Sequence, residues 1–132
     1  MALLIDTDLL INFERGVGTP RVEELLSDEE RAISVITVSE LLHGALRATG
    51  ARRARRRAFV EHLLGDLEAI PITEPVARIH ADIWADLAER GTVIGAHDLW
   101  IAATGLAHGL GVATRNTADF ERVGGLRVIG AT

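Results

Sequence analysis

The sequence predicts a small α/β domain, a three-layer α/β/α sandwich around a parallel sheet. Two observations carry this. Short runs that are apolar throughout, such as Ala2-Leu3-Leu4-Ile5 and Gly111-Val112-Ala113-Thr114, alternate with segments of helical period. Near-continuous apolar strands separated by helices are the pattern of a parallel sheet covered on both faces. Helix start and stop signals also punctuate the chain between those runs.

In chain order, residues 2–6 read as a buried strand and residues 7–15 as a short helix with Leu9, Leu10 and Phe13 on one side. Thr19-Pro20 is an N-cap followed by proline at the first helical position, which starts a helix to about Leu26. Residues 32–36 form a second strand, and Thr37-Val38-Ser39-Glu40 has the form of a capping box for the next helix. The arginine-rich stretch continues as a further helix with Ala58, Phe59, Leu63, Leu64 and Leu67 on its inner face. Residues 69–72 are a short strand. Thr73-Glu74-Pro75 opens a long helix with Val76, Ile79, Ile83, Trp84 and Leu87 on its apolar stripe, ending at Gly91. Asp98 to His108 is another helix, stopped by Gly109, and residues 111–114 and 126–129 are the last two strands.

With 132 residues, the chain reads as one domain spanning residues 1–132, long enough to bury a core. Its apolar runs fall far short of the roughly 20 residues that a membrane-spanning helix needs, and no basic, apolar leader precedes the first strand. The absence of cysteine removes disulfides, thiolate metal sites and cysteine nucleophiles, and fits a cytoplasmic protein. The net charge of −5 argues against a generally basic nucleic-acid coat protein. The charge is uneven, however. All 14 basic residues are arginine, and six of them fall between Arg47 and Arg57.

Four acids stand where an α/β fold gathers its ligands. Asp6 closes the first strand, Glu40 lies in the first turn predicted after the second, Asp98 opens a helix, and Asp119 follows the strand at 111–114. Open parallel sheets bind ligands in the crevice at the carboxyl ends of their strands. Carboxylates collected there repel one another unless a hard cation lies between them, and an all-oxygen set suits Mg²⁺ or Mn²⁺. Each acid also has a structural reading. Asp6 can cap the following helix. Glu40 occupies the position from which a capping-box glutamate bonds back to its cap, and taken alone that reading wins. Asp98 sits where the helix dipole favours an acid, and Asp119 lies among turn formers. The four together favour a metal-dependent phosphoryl-transfer or hydrolysis site. Thr114 and Asn116 add neutral oxygens that can orient a carboxylate or a water.

The five histidines, at 43, 62, 80, 97 and 108, have no metal-binding spacing. His97, beside Asp98, receives no role. Trp84 and Trp100 fall at helical spacing among apolar residues and read as core. Arg52, Arg53, Arg55 and Arg56 divide evenly between a solvated helix face and a patch for RNA phosphates or an acidic partner.

The ordered set Ile5-Asp6-Thr7, Ser39-Glu40-Leu41, His97-Asp98-Leu99-Trp100-Ile101-Ala102-Ala103 and Thr114-Arg115-Asn116-Thr117-Ala118-Asp119-Phe120 resembles PIN-domain ribonucleases of the VapC toxin type. The similarity runs over essentially the whole chain. The departure is Asp8, where the family more often has Ser or Asn. The resemblance implies a five-stranded parallel sheet and an endoribonuclease needing Mg²⁺ or Mn²⁺. It implies Asp6, Glu40, Asp98 and Asp119 as the acidic site, supported by Thr7, Thr114 and Asn116. It also implies a homodimer and a cognate VapB-type antitoxin that blocks the site. Two rival readings stand beside it. Asp6-Thr7-Asp8 after an apolar strand also resembles the nucleophile motif of haloacid-dehalogenase-type phosphatases, although the chain lacks their usual lysine and late acid pair. A non-catalytic RNA-binding module would use the arginines and leave the acids without a purpose.

Overall fold

The computed structural model describes residues 2–14 and 30–130, with the backbone alone for residues 12–14. The helix expected from Thr19 to Leu26 and the side chain of Phe13 lie outside the described residues. The described elements are β1 (Leu3–Ile5), α1 (Thr7–Glu14), β2 (Arg31–Ser34), α2 (Val35–Arg47), α3 (Gly50–Asp66), β3 (Glu68–Ile70), α4 (Glu74–Glu89), α5 (Ala96–Ala107), β4 (Gly111–Thr114), α6 (Thr117–Phe120) and β5 (Val128–Gly130).

The five strands form one sheet in the order β3-β2-β1-β4-β5, and every pairing is parallel. Successive side chains of a strand point to opposite faces, and the two halves of the core follow from that. Leu4, Ala32 and Val112 face a cluster closed by Val76, Ile83 and Leu87 of α4, by Leu99, Ile101, Ala102 and Ala103 of α5, and by Phe120 of α6. Leu3, Ile5, Ile33 and Ala113 face the other way, onto Leu9 and Leu10 of α1, Leu41 and Ala45 of α2, and Val60 of α3. Helices α1 to α3 therefore cover one face and α4 to α6 the other, the expected α/β/α layering.

The central strand β1 pairs with β2 on one side and with β4 on the other. The chain turns to opposite faces after β1 and after β4, so the crevice lies at the carboxyl ends of these two strands. The register Ile5↔Ala113 brings Asp6 beside Thr114 across that gap, and the Asp6 amide donates to the Ala113 carbonyl at 2.9 Å.

Three expectations change. Strand β2 stops at Ser34, whose hydroxyl accepts from the Ile36 amide at 3.0 Å and caps α2. The helix therefore begins at Val35, before the supposed capping box, and Glu40 stands in its second turn rather than its first. A serine at a β-to-α junction captured the cap before Thr37 was reached, and Thr37 is instead fully buried. Ala58 is exposed, and α3 buries Val60 with Leu63, Leu64 and Leu67 packed partly against it. Trp84 is 62% exposed rather than in the core, and Trp100 is half-buried, stacked on the His80 ring at 3.6 Å between centroids. The stops were legible: Gly91 and Gly109 follow α4 and α5 with φ of 65° each, the left-handed conformation that glycine adopts without a Cβ clash.

Candidate active site

Asp6 is the anchor of the crevice. It follows the last residue of the central strand, and only 4% of it is exposed. Its Oδ1 accepts the amide of Thr7, the first residue of α1, at 2.8 Å. Its Oδ2 accepts the Thr114 hydroxyl from the neighbouring strand at 2.7 Å. Burial, the Asp8 carboxyl beside it and the charge of Asp98 push the Asp6 carboxyl from 3.8 up to about 8, while the bond from Thr114 pulls it down.

Asp98 lies in the first turn of α5, whose Leu99 and Ile101 to Gly105 are buried. Its carboxyl is also raised, first by burial and then by the charges of Asp119, Glu40 and Asp8, against the opposing bond from Asn116. Asn116 is the bridge between two acids. Its Nδ2 donates to Asp119 Oδ2 at 3.0 Å and to Asp98 Oδ2 at 3.4 Å. Its backbone amide donates to the Thr114 hydroxyl at 2.9 Å. A chain of contacts therefore runs from Asp6 through Thr114 and Asn116 to Asp98 and Asp119. Arg122 closes the outer side, with Nη1 at 3.4 Å from Asp119 Oδ1 and 3.1 Å from the Val93 carbonyl.

Glu40 is held from the opposite wall. The Thr7 hydroxyl donates to its Oε1 at 2.7 Å and lies 3.0 Å from the Thr37 hydroxyl. Thr37 and Glu40 share one face of α2 at a three-residue spacing, so the buried threonine positions Thr7, and Thr7 positions the glutamate. Thr37 was not legible as a site residue. Its spacing from Glu40 was the available signal, and it was masked by the misplaced helix start. His97 also gains a role here, with Nδ1 at 3.3 Å from Glu40 Oε2.

The structure brings Asp6, Glu40, Asp98 and Asp119 to one crevice together with Thr7, Thr114 and Asn116. It divides the arginines. Arg52 and the half-buried Arg56 line a groove next to Glu40, Arg53 lines a separate depression, and Arg55 is exposed and lines neither.

Among the described residues, no three His, Cys, Asp or Glu side chains are close enough to enclose an ion. The chemistry of the site nevertheless fits a hard cation. Its donors are all oxygen, and two of its carboxyls are raised, first by burial and then by neighbouring carboxyls. The buried Asp8 Oδ1 has no hydrogen-bond donor among the described residues. A buried carboxyl oxygen beside the Asp6 carboxyl calls for a proton or a cation between the two groups. An open set of this kind suits Mg²⁺, which keeps several of its waters.

The PIN domain family model matches residues 3–126 of the chain. Ribonuclease VapC1 of Rickettsia felis is 35% identical over 131 residues, covering 98% of this chain and 96% of that protein. The tRNA(fMet)-specific endonuclease VapC of Shigella flexneri is 30% identical over 128 residues, covering 96% of both. Among solved structures, DNA-bound VapBC from Salmonella typhimurium superposes with a TM-score of 0.88 at 29% identity, covering 100% of this chain and 99% of that one. By the span of the family model and the identity to these relatives, this chain belongs to the PIN-domain family, among the VapC ribonucleases.

Proposed function

We propose that this protein is a metal-dependent endoribonuclease, the toxin of a VapBC-type pair. The observation that carries the reading is the convergence of Asp6, Glu40, Asp98 and Asp119 on one crevice, each positioned by a neighbouring hydroxyl, amide or cation. Asp6 and Asp98 would be the main ligands of Mg²⁺ or Mn²⁺, with Glu40 and Asp119 completing the shell or taking a proton from water. A bound cation of this class supplies an activated water and offsets charge on the phosphodiester.

Thr114 holds Asp6 in one rotamer, Asn116 holds Asp98 and Asp119 at a fixed separation, and Thr7 aims Glu40 inward. Outer hydrogen bonds of this kind orient metal ligands. Water attack on the phosphorus would leave a 5′-phosphate and a 3′-hydroxyl and needs no covalent enzyme intermediate. Both oxygens of Asp6 are already engaged, one by an amide and one by a hydroxyl, which suits a ligand better than the attacking nucleophile of a phosphatase.

The same reading includes a homodimer, a cytoplasmic site of action and a cognate VapB-type antitoxin. No helix among the described residues is long and apolar enough to cross a membrane. Transfer RNA is the first substrate to test, because the Shigella flexneri relative is named for one.

The test is to express the wild type and Asp98→Asn in bacteria and map new RNA 5′-phosphate ends. New ends at one or a few sites with the wild type alone are expected. Cleavage by Asp98→Asn at the wild-type rate would remove Asp98 from the site.

A further inference from the structure

We infer that the groove beside Glu40 is a backbone-binding subsite for single-stranded RNA, in which Arg47, Arg52 and Arg56 grip phosphates next to the cleaved bond. The inference rests on the ribonuclease reading above. The groove has a volume of about 570 Å³ and adjoins the acidic crevice, since Thr7, Glu40 and His97 line it together with the three arginines. Its volume falls in the range of ligand sites, roughly 300–1,000 Å³.

The direction of the arginines is the first argument. Arg52 and Arg56 are one turn apart on α3, and Arg47 ends α2, so arginines from two helices line one groove. Arg53 and Arg57 line a different depression with Ala45 and Leu46.

The support of Arg56 is the second. Its Nη1 donates to the Gly44 carbonyl at 3.3 Å. A Cβ at Gly44 would stand 3.5 Å from its Nη2, an ordinary contact distance, so the guanidinium lies close against the α2 backbone. Among the described residues, Arg47 and Arg52 have no carboxylate partner.

The third argument is local cost. Residues 47–57 contain six arginines and no acid. Arg52 and Arg53 fall in the first turn of α3, where the helix dipole favours anions, and Thr49 provides no side-chain cap. The pairs 52/56 and 53/57 add like-charge repulsion one turn apart. A bound polyanion removes that repulsion. In a chain of net charge −5 whose catalytic crevice is acidic, this groove also supplies attraction that RNA would otherwise lack.

The test compares Arg47→Gln and Arg52→Gln with Arg57→Gln, which removes the same charge on the far side of α3. Initial cleavage rates are measured against the concentration of total bacterial RNA. Affinity for the same RNA is measured across a salt series in an Asp98→Asn background. Each groove variant is expected to raise KM about three- to tenfold with kcat kept, and to reduce the log–log salt slope by about 0.7. Arg57→Gln should stay within about twofold of wild type. Equal losses in all three variants would reduce the effect to bulk charge and overturn the subsite. Unchanged KM in both groove variants of an active nuclease would overturn it while leaving the ribonuclease reading intact. Loss of antitoxin neutralisation alone would assign the groove to a protein partner and overturn it as well. A wild type that neither binds nor cleaves RNA would sink the ribonuclease reading, and this inference with it.

Discussion

The acidic crevice and the arginine wall meet at Glu40 and are built in opposite ways. Asp6 is almost wholly buried and tied by both oxygens, and Asn116 links Asp98 to Asp119. Arg47 and Arg52 are exposed, and among the described residues neither has a carboxylate partner. Chemistry at a phosphodiester requires groups fixed to within a fraction of an ångström. Holding a polyanion requires charge on a long, adjustable stem. The fold places the first kind of group on strand ends and buried helix starts, and the second on the rim.

Asp98→Asn bears hardest on this contrast. Cleavage should fall by at least about 10²-fold. The metal-free protein should be no less stable, because the carboxyl removed is one that burial and Asp119 already disfavour as a charge. A thermal melt in chelator beside a cleavage assay checks both, and a large loss of melting temperature would make Asp98 a structural residue.

The pH dependence of the metal-free fold comes next. The folded Asp6 carboxyl titrates at about 8 and the unfolded one near 3.8, so the native state holds a proton that the unfolded chain has lost. Stability is therefore full below the lower value and falls as pH rises toward the upper one, by an amount on the order of a few kcal/mol. Saturating Mg²⁺ should flatten that slope, and so should Asp6→Asn. Chelator melts across the window test it, and a wild-type profile that rises with pH would contradict the burial argument.

Thr114→Val removes the bond to Asp6 and the acceptor of the Asn116 amide in one change. Activity should drop about 10–100-fold, with a cost of about 1–3 kcal/mol for the polar groups left unpaired. Steady-state kinetics and a urea titration measure the two effects. The smallest effect belongs to the rim. Arg57 pairs with Glu61 at 3.1 Å with both side chains about half exposed, so Arg57→Gln should shift stability by less than about 1 kcal/mol in the same titration.

How much of this was legible in the sequence depended on whether a local signal competed with a tertiary one. Asp6 and Asp98 were readable because an acid that closes an apolar strand or opens a buried helix has few other uses. Glu40 was found for a reason that did not survive. The sequence reading put the cap of α2 at Thr37, but Ser34 takes it, because the helix start depends on where β2 stops pairing, which is set by its partners β1 and β3. Trp84 and Trp100 had the same spacing signal, yet one is exposed and the other lies against His80. Which side of a helix stripe is covered depends on what packs over it.

The sequence alone determined the α/β class, most of the element order and the presence of three acids, Asp6, Asp98 and Asp119, at strand ends and helix starts. Those features follow from the hydrophobic period and from local backbone chemistry, which act within a turn or two of chain. Tertiary structure alone decided that Thr37 supports Thr7, that Asn116 bridges two acids, and that a single run of arginines splits between two sides of one helix. These contacts join residues as far apart as Asp6 and Thr114, 108 positions along the chain. Strand register and helix rotation set such distances, and both are fixed only when the two sides of the sheet are packed.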